Sequence, residues 1–428
     1  MSLHGRIRVP SDKSISHRAV LFSSMAEGTS RLSDLLPSDD VLSSIECVKA
    51  LGAEADLHEG AHGLSGTVTG WGGSPARGPV ELWCGNSGTT TRLLLGLLAG
   101  CGADATLTGD PSLSSRPMER VMKPLRQMGA SFECEGGRLP VHVLGREARL
   151  HGTVYATEQA SAQVKSAILL AGLSAEGVTT VVEPAKSRDH TERLLPAFGA
   201  RLDVEGLSVS LEGPQSLHAH DLSAPGDPSS AAFVAVAAAL CEGSEVTIEQ
   251  VALNPTRTGA LEVLREMGAD VVYEGEHMEG AEPVGDVVVR HGPRLSGVDV
   301  ASERIPTLVD EVPVLSLAAA AAEGETVFRG AGELRVKECD RFAAILEGLA
   351  SMGVAAWAEG DDLHIAGRGG EGMSAPAHVA FRTFHDHRLA MTWHIAGAAF
   401  GFESELDDAA CVSVSWPGFY EDMASLGA

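Results

Sequence analysis

The sequence predicts a mixed α/β fold of two domains, each built from three similar repeats. Two elements that recur along the chain lead to this prediction, and the length of 428 residues allows two or three domains. Apolar residues make up 44% of the chain and charged residues 21%, a balance typical of globular proteins. This composition excludes a disordered, collagen-like or disulfide-stapled chain.

The first recurring element is an amphipathic helix that ends in a glycine followed by a small residue. Apolar residues at helical spacing precede the glycine, as Val41, Ile45 and Val48 do before Gly52. Glycine directly after a helix is typical of a left-handed helix stop. The pattern occurs at glycines spaced 69 to 85 residues apart: Gly52, Gly129, Gly199, Gly268, Gly353 and Gly427.

The second recurring element is an alanine- and leucine-rich helix of about ten residues. Because it is apolar on nearly all sides, we expect it to be buried. The segments that fit are 18–26, 92–99, 164–175, 230–240, 312–322 and 388–399. One repeat is therefore predicted as a buried helix, a strand, an amphipathic helix and further strands, and six repeats give two pseudo-threefold domains.

The charge and cysteine content exclude several classes of function. With 32 Lys and Arg against 58 Asp and Glu, the net charge of −26 predicts a surface that repels nucleic acid and anionic membranes. We find neither an export signal nor an apolar stretch of the ~20 residues that a bilayer requires. The seven scattered cysteines, without a Cys-x-x-Cys pair, predict reduced thiols in the cytoplasm and no zinc site.

Polar residues cluster at the start of the predicted buried helices, where free N–H groups and a partial positive charge favour anions. Helix capping explains the serines, threonines and aspartates among them. It does not explain the cations Lys13, Arg18, Arg116 and Arg388, because a cation at a helix N-terminus opposes the dipole unless an anion lies beside it. The clusters are 10–18 (PSDKSISHR), 84–92 (CGNSGTTTR), 160–167 (ASAQVKSA), 225–231 (PGDPSSA), 310–311 (DE) and 384–388 (FHDHR).

Two further segments carry arginines near helix starts. Segment 114–118 (SSRPM) places Arg116 before a helix that begins with proline. Segment 335–341 (RVKECDR) mixes three cations with two acids, so a solvated surface of salt bridges is an equally good interpretation. If the helix N-termini point into one cleft, the sequence predicts an anion-binding site in an otherwise acidic protein.

In this order along the whole chain, these motifs resemble the enolpyruvyl transferase family, and within it the branch that acts on shikimate 3-phosphate. The resemblance implies two domains of three βαβαββ units each, with parallel helices buried under sheets in an inside-out α/β barrel-like arrangement. We expect a discontinuous domain of residues 1–12 and 225–428, an inserted domain of residues 13–224, and an active site in the cleft between them.

The reaction that the resemblance implies moves the enolpyruvyl group of phosphoenolpyruvate to the 5-hydroxyl of shikimate 3-phosphate. Phosphate leaves after a tetrahedral intermediate, in a step of the shikimate pathway toward chorismate and the aromatic amino acids. Two polyanions require Arg and Lys clamps, the proton transfers require a base and an acid, and the leaving phosphate requires a cation. We expect these two substrates as the only partners, a cytoplasmic monomer, and no cofactor, metal, nucleic acid or membrane.

The resemblance also implies a role for each site residue. Asp310 is the implied base for the 5-hydroxyl, Glu338 the implied acid for the methylene carbon, and Lys13 the bridge toward the departing phosphate. The shikimate 3-phosphate site is implied at Lys13, Ser14, Arg18, Ser161, Ala162, Gln163, Ser187, Asp310 and Lys337. The phosphoenolpyruvate site is implied at Lys13, Gly88, Arg116, Gln163, Arg341 and Arg388.

Two segments depart from the family pattern. Ala162 stands where many members have a second serine, which removes one hydroxyl from the 3-phosphate site. Segment 413–417 (SVSWP) stands where many members carry a lysine that contacts phosphoenolpyruvate.

Two alternative functions remain open at this point. A sister branch that acts on UDP-N-acetylglucosamine usually begins with Lys-Asn and carries a reactive cysteine before the Arg-Pro pair. This chain has Lys13-Ser14 instead, and segment 109–115 contains no cysteine. A non-catalytic anion-binding scaffold would have lost the acid and the base, whereas Asp310 and Glu338 are both present.

Overall fold

The computed structural model describes residues 2–72, 74–75, 78–292, 294–369 and 376–427. The chain divides into two compact units, which we call the discontinuous unit and the inserted unit. The discontinuous unit comprises Met1–Pro10, Pro225–Met278 and Pro283–Ala428, and the inserted unit comprises Ser11–Ala224 with Glu279–Glu282. Among the helices of the described residues, none combines the length and the apolar character needed to cross a bilayer.

The strands of the described residues, in chain order, are β1 (His4–Ile7), β2 (Thr29–Leu35), β3 (Glu54–Gly60), β4 (Gly63–Thr69), β5 (Val80–Trp83), β6 (Ala105–Thr108), β7 (Phe132–Cys134), β8 (Val141–Val143), β9 (Val154–Ala156), β10 (Gly177–Val182), β11 (Asp203–Glu205), β12 (Ser208–Gly213), β13 (Leu222–Ser223), β14 (Glu245–Ala252), β15 (Asp270–Glu279), β16 (Glu282–Arg290), β17 (Asp299–Val300), β18 (Glu325–Phe328), β19 (Ala356–Glu359), β20 (Asp362–Ala366), β21 (His378–Phe381) and β22 (Glu403–Leu406).

The α-helices of the same residues are α1 (Lys13–Met25), α2 (Asp39–Ala50), α3 (Gly88–Cys101), α4 (Pro111–Ser115), α5 (Glu119–Gln127), α6 (Ala162–Gly172), α7 (His190–Ala197), α8 (Pro228–Leu240), α9 (Gly259–Glu266), α10 (Val312–Ala321), α11 (Arg341–Ser351), α12 (His387–Phe400) and α13 (Phe419–Leu426).

One sheet pattern recurs in both units. In the sheet β5-β6-β8-β7, β5 lies parallel to β6, and β8 lies antiparallel to both β6 and β7. The sheets β13-β2-β4-β3, β11-β12-β10-β9 and β17-β18-β20-β19 have the same order of parallel and antiparallel pairs. A parallel pair requires a crossover connection, and in three of these four sheets the crossover contains one of the buried helices α3, α6 and α10. This arrangement confirms the predicted mixed α/β fold.

The strands near the two crossings between units pair across long stretches of sequence. In the discontinuous unit, β1 lies parallel to β14, with His4 opposite Glu245. In the inserted unit, β13 lies parallel to β2, with Leu222 opposite Leu32. Each unit is therefore completed by a strand that lies far in sequence from its partner.

The predicted apolar segments form the buried helices α1, α3 and α6 of the inserted unit and α8, α10 and α12 of the discontinuous unit. Each unit has its own hydrophobic core, in which these helices pack against the inner faces of the sheets. The backbones of α3 and α6 approach each other closely where Gly96 and Gly100 face Ala167 and Ala171. A Cβ atom on Gly96 would lie 2.1 Å from the carbonyl oxygen of Ala167, so only glycine fits there.

The amphipathic helices end as the sequence predicts. The glycines that follow α2, α5, α7, α9, α11 and α13 all have positive φ angles, from 72° at Gly353 to 105° at Gly129 and Gly427. After Gly52, the N–H of Ala53 donates to the carbonyl of Val48 at 3.0 Å, which satisfies a helix-terminal acceptor. Ala428, the small residue of the last copy, lies outside the described residues.

We predict that Gly96→Ala destabilises the inserted unit by about 1–3 kcal/mol, because overpacking outweighs the gain in helix propensity. Gly100→Ala is the graded control on the same helix, since its Cβ would lie 3.0 Å from Ala171 Cα and therefore overlaps less. Urea unfolding of both variants and the parent measures the effect. A Gly96→Ala variant as stable as the parent would contradict this account of the helix contact.

Candidate functional site

Polar side chains at the N-terminal ends of α1, α3 and α6 contact one another in the inserted unit. Arg92 of α3 donates through Nη1 to Gln163 Oε1 of α6 at 2.6 Å, and Gln163 donates to Thr89 Oγ1 at 3.0 Å. Arg18 of α1 donates through Nη2 to Ser166 Oγ of α6 at 2.8 Å. The buried helices thus present their N-termini at the same end of the unit, as an anion site requires.

Arg18 is held by three hydrogen bonds in a position that is only 2% exposed. In addition to Ser166, its Nε donates to Thr191 Oγ1 at 2.8 Å, and its Nη1 donates to the carbonyl of Ser14 at 3.0 Å. Burial lowers the pKa of Arg18 to about 10, and the nearby Glu192 opposes that change. The guanidinium therefore remains charged at neutral pH, fixed in direction and available to an anion.

Lys13 begins α1 and pairs with Asp40 Oδ2 at 3.1 Å. The two side chains are 26% and 15% exposed, so solvent weakens their attraction. An ion pair of this kind contributes about 0–1 kcal/mol. An anionic ligand can therefore compete with Asp40 for the Lys13 ammonium group at little cost.

The loop before α3 leaves space beside two guanidinium groups. Asn86 accepts from Arg116 Nη2 at 2.7 Å and donates to Asp110 Oδ2 at 2.8 Å, which fixes the direction of Arg116. A Cβ atom on Gly88 would lie 2.8 Å from Arg92 Nη1 and 3.6 Å from Arg116 Nη1. The glycine thus keeps the approach to both cations open.

The serines at the start of α6 and before α7 differ in how their hydroxyl groups are used. Ser161 caps α6 by accepting a backbone N–H at 3.5 Å, which leaves its own proton for another acceptor. Ala162 has no hydroxyl to contribute. Ser187 donates its proton to Glu183 Oε1 at 2.5 Å, and Glu183 also accepts from the buried Lys165 at 2.6 Å. Ser187 must therefore rotate its hydroxyl group before it can donate to a phosphate.

A chain of hydrogen bonds through one histidine and several hydroxyl groups links α1, α2 and α3. His17 Nδ1 lies 2.8 Å from Ser44 Oγ, Ser44 lies 2.7 Å from Thr90 Oγ1, and Thr90 donates to Ser87 Oγ at 2.7 Å. His17 is fully buried, and this burial lowers its pKa to about 3. The histidine therefore contributes a hydrogen bond to the network and no charge at neutral pH.

A second polar cluster lies at the N-terminal ends of α8, α10 and α12 in the discontinuous unit. Arg388 of α12 donates through Nη1 to the carbonyl of Asp310 at 3.2 Å and to Glu311 Oε1 at 3.3 Å. Ser229 of α8 donates its hydroxyl proton to the same carboxylate oxygen of Glu311. These contacts bring the starts of the buried helices together in this unit too.

Arg341 holds three carboxylates in the second cluster. Its Nη1 lies 3.2 Å from Asp310 Oδ1, its Nη2 lies 2.7 Å from Glu338 Oε2, and its Nε lies 2.7 Å from Asp386 Oδ2. The side chain is 1% exposed, and burial alone would lower its pKa, but Glu338, Asp386 and Asp310 together raise it above the usual range. One permanently charged arginine therefore orients both candidate proton carriers.

Lys337 adds a second cation to Asp310. Its Nζ lies 3.4 Å from Asp310 Oδ1 and 2.5 Å from Glu333 Oε1. Burial opposes the charged form of Lys337, but Asp310 and Glu333 outweigh it and raise the pKa of the ammonium group. Lys337 is therefore a cation and not a base at neutral pH.

The structure assigns the expected site residues to two clusters, one in each unit. In the inserted unit lie Lys13, Ser14, Arg18, Gly88, Arg116, Ser161, Ala162, Gln163 and Ser187. In the discontinuous unit lie Asp310, Lys337, Glu338, Arg341 and Arg388. Among the described residues, no group of three or more His, Cys, Asp or Glu side chains is arranged to hold a metal ion.

The sequence motifs contained other members of these clusters to which no role was assigned. Asn86, Arg92 and Asp386 belong to the quoted segments and now prove to orient Arg116, Gln163 and Arg341. A lysine inside an apolar helix was a further signal, because a buried charge requires a partner. Lys165 has two such partners, Glu183 and Glu192, each at 2.6 Å.

Solved structures with the same fold define the class of this protein. An EPSP synthase from Acinetobacter baumannii matches with a TM-score of 0.86 and 41% identity, covering all of this chain and 96% of that chain. The enolpyruvyl transferase NikO from Streptomyces tendae matches with a TM-score of 0.77 over all of this chain and 95% of its own. At 20% identity, the likeness to NikO shows the fold alone. The common fold is that of the enolpyruvyl transferases.

Sequence comparison narrows this class to one family. The family model for EPSP synthase (3-phosphoshikimate 1-carboxyvinyltransferase) matches residues 1–423. A 3-phosphoshikimate 1-carboxyvinyltransferase from Alkalilimnicola ehrlichii is 48% identical over 430 residues, covering all of this chain and 94% of the relative. The chain belongs to the EPSP synthase family, which confirms the recognition made from the motifs.

We predict that His17 makes the folded protein sensitive to mild acid. The unfolded chain binds a proton at this histidine near pH 6.5, whereas the folded chain does so only near pH 3. Stability therefore falls by about 1.4 kcal/mol per pH unit as the pH drops below 6.5. Urea unfolding at pH 5, 6 and 7 should show a shallower pH dependence in His17→Asn than in the parent. Equal slopes would show that His17 titrates normally in the fold.

Proposed function

We propose that this enzyme transfers the enolpyruvyl group of phosphoenolpyruvate to the 5-hydroxyl of shikimate 3-phosphate and releases phosphate. The observation that carries this proposal is membership of the EPSP synthase family over residues 1–423. The reaction is a step of the shikimate pathway toward chorismate and the aromatic amino acids. A second relative, from Roseiflexus castenholzii, has the same name and is 48% identical over 98% of this chain.

Residues of both polar clusters are assigned to phosphoenolpyruvate. We assign the phosphoenolpyruvate anion to Arg116, Arg341 and Arg388, with space provided by Gly88 and a hydrogen bond from Gln163. Arginine presents planar, paired N–H donors that match carboxylate and phosphate groups. Asn86 and Asp386 already fix the direction of Arg116 and Arg341, so these side chains lose little conformational entropy when a ligand binds.

We assign shikimate 3-phosphate to residues of both clusters. In this assignment Arg18 and Ser14 hold the ring and its carboxylate, Ser161, Gln163 and Ser187 hold the phosphate, and Lys337 reaches the ring. Ala162 contributes its backbone N–H at the start of α6 and no hydroxyl. Because each substrate is assigned residues from both units, we propose that domains 1–12 with 225–428 and 13–224 form one active site in a cleft.

Proton transfer is assigned to Asp310 and Glu338. Asp310 removes the proton of the 5-hydroxyl as its oxygen bonds to C2 of phosphoenolpyruvate, and Glu338 gives a proton to C3. The bond between C2 and the phosphate oxygen then breaks, and C3 returns its proton to Glu338 so that the double bond forms again. The proton that Asp310 took from the 5-hydroxyl passes to the released phosphate, which restores both carboxylates. Arg341 and Lys337 orient Asp310 through contacts of 3.2 Å and 3.4 Å to its Oδ1, and Lys13 stabilises the departing phosphate.

We propose the location, oligomeric state and partners of the enzyme from its composition and the family resemblance. The net charge of −26 and the seven free cysteine thiols support a cytoplasmic protein. We propose a monomer, as the family resemblance implies. The acidic surface also supports small-molecule partners over nucleic acid or anionic membranes.

We predict that the protein releases phosphate when it is given phosphoenolpyruvate together with shikimate 3-phosphate, measured by a coupled phosphate assay. UDP-N-acetylglucosamine as the acceptor tests the sister activity and should give no release. Release with that acceptor alone would overturn the proposed function.

We predict that Asp310→Asn lowers kcat about 10²–10⁴-fold, because the side chain loses its capacity to accept a proton. Binding of shikimate 3-phosphate, measured by calorimetry, should remain within about threefold, since the amide keeps the shape of the carboxylate. Asp299→Asn is the matched control, because Asp299 is an exposed aspartate of the same unit that likewise pairs with an arginine, Arg329. A kcat that is unchanged in Asp310→Asn would remove Asp310 from the role of base.

A further inference from the structure

Glu311 is a buried carboxylate to which the proposed mechanism gives no role. Its side chain is 1% exposed, and it lies immediately before α10, next to the candidate base Asp310. Its Oε1 accepts from Ser229 of α8 and from Arg388 of α12, so one oxygen atom joins the starts of the buried helices in this unit.

Burial of the second oxygen atom of Glu311 lowers the stability of the fold. Among the described residues, Oε2 has no hydrogen-bond partner although it is buried. A buried carboxylate oxygen without a donor loses its hydration and gains nothing in return. The hydrogen bonds that Oε1 accepts from Ser229 and Arg388 must therefore offset the desolvation of the whole carboxylate.

The contacts of Arg388 indicate what the glutamate does. Nη1 of Arg388 is held between Glu311 Oε1 at 3.3 Å and the carbonyl of Asp310 at 3.2 Å. Within the described part of the chain, this side chain donates through Nη1 alone, so the protons on Nε and Nη2 remain available to a ligand. Two adjacent residues thus hold one edge of the guanidinium and leave its other edge open.

We infer that Glu311 is a positioning residue that fixes the Arg388 guanidinium for the anionic groups of phosphoenolpyruvate. This inference rests on the proposed function, in which Arg388 binds that substrate. Glu311 acts through hydrogen-bond geometry and not through its charge, because a negative charge beside Arg388 by itself weakens the attraction for an anion. Removing the charge of Glu311 and removing its acceptor oxygen should therefore have different effects on the KM for phosphoenolpyruvate.

Two variants separate these contributions. Glu311→Ala removes the acceptor, so the KM for phosphoenolpyruvate should rise about tenfold while the KM for shikimate 3-phosphate stays within about twofold. Glu311→Gln keeps an oxygen that accepts from Ser229 and Arg388, so its KM for phosphoenolpyruvate should be no more than about twice that of the parent. Steady-state kinetics with each substrate varied in turn, and thermal unfolding of every variant, provide the readouts.

A matched control and a double variant complete the test. Glu262 of α9 likewise accepts from a hydroxyl and an arginine, Tyr273 at 2.7 Å and Arg265 at 2.9 Å, but among the residues that the structure describes it has no contact with Arg388. Glu262→Gln should therefore behave as the parent. Glu311→Ala should raise the KM for phosphoenolpyruvate much less in an Arg388→Lys background than in the parent protein. The reason is that the two residues act as a unit.

Three outcomes would overturn the inference. The KM for phosphoenolpyruvate could be unchanged in Glu311→Ala, or equally raised in Glu311→Ala and Glu311→Gln, or raised together with the KM for shikimate 3-phosphate in proportion to lost thermal stability. The last of these would indicate a purely structural role. Absence of turnover in the parent would instead overturn the proposed function, so the two failures are distinguishable.

Discussion

The convergence of helix N-termini at one end of each unit is the constraint on which the rest of the structure depends. Each buried helix leaves unpaired N–H groups and about half a positive charge at that end. Asp12, Asp227 and Asp386 cap α1, α8 and α12 and satisfy some of these groups. The N–H groups that stay uncapped favour an anion at that end of each unit.

A cation at a helix start opposes this partial positive charge, so each arginine in the clusters requires local compensation. Arg341 has Asp310, Glu338 and Asp386, and Arg388 has Glu311. These carboxylates do more than neutralise charge, because each hydrogen bond also fixes the direction of a guanidinium. These carboxylates therefore hold the anion-binding groups in place before any substrate binds.

The parts of the fold that the sequence could predict are those governed by local rules. The glycine stop after α2 depends on Gly52 and its neighbours, and the burial of α8 depends on its own unbroken apolar run. The pairing of β1 with β14 could not be predicted, because the partners lie more than 200 residues apart and β1 has only four residues. The assignment of Glu279–Glu282 to the inserted unit likewise depends on tertiary packing and has no local signal.

The candidate site follows the same division between local and tertiary information. Lys13, Arg116 and Arg388 could be selected because a cation beside a helix start is locally anomalous. Segment 335–341 could not be distinguished from a solvated surface, because mixed charge has the same pattern whether or not it is buried. Only the fold brings Asp310 and Asp386 to Arg341 and thereby turns that segment into part of a site.

An acidic protein can act on two polyanions, because repulsion by its net charge and attraction by its binding groups differ in range. At physiological ionic strength, exposed charges are screened over about 8 Å, so the surface charge of −26 acts weakly at a buried cluster. Within a cluster, contacts of about 3 Å in a medium of low polarity dominate the energy. The acidic surface therefore discourages nucleic acid and anionic membranes, which bind through extended surfaces, while small anions respond mainly to the few groups that directly contact them.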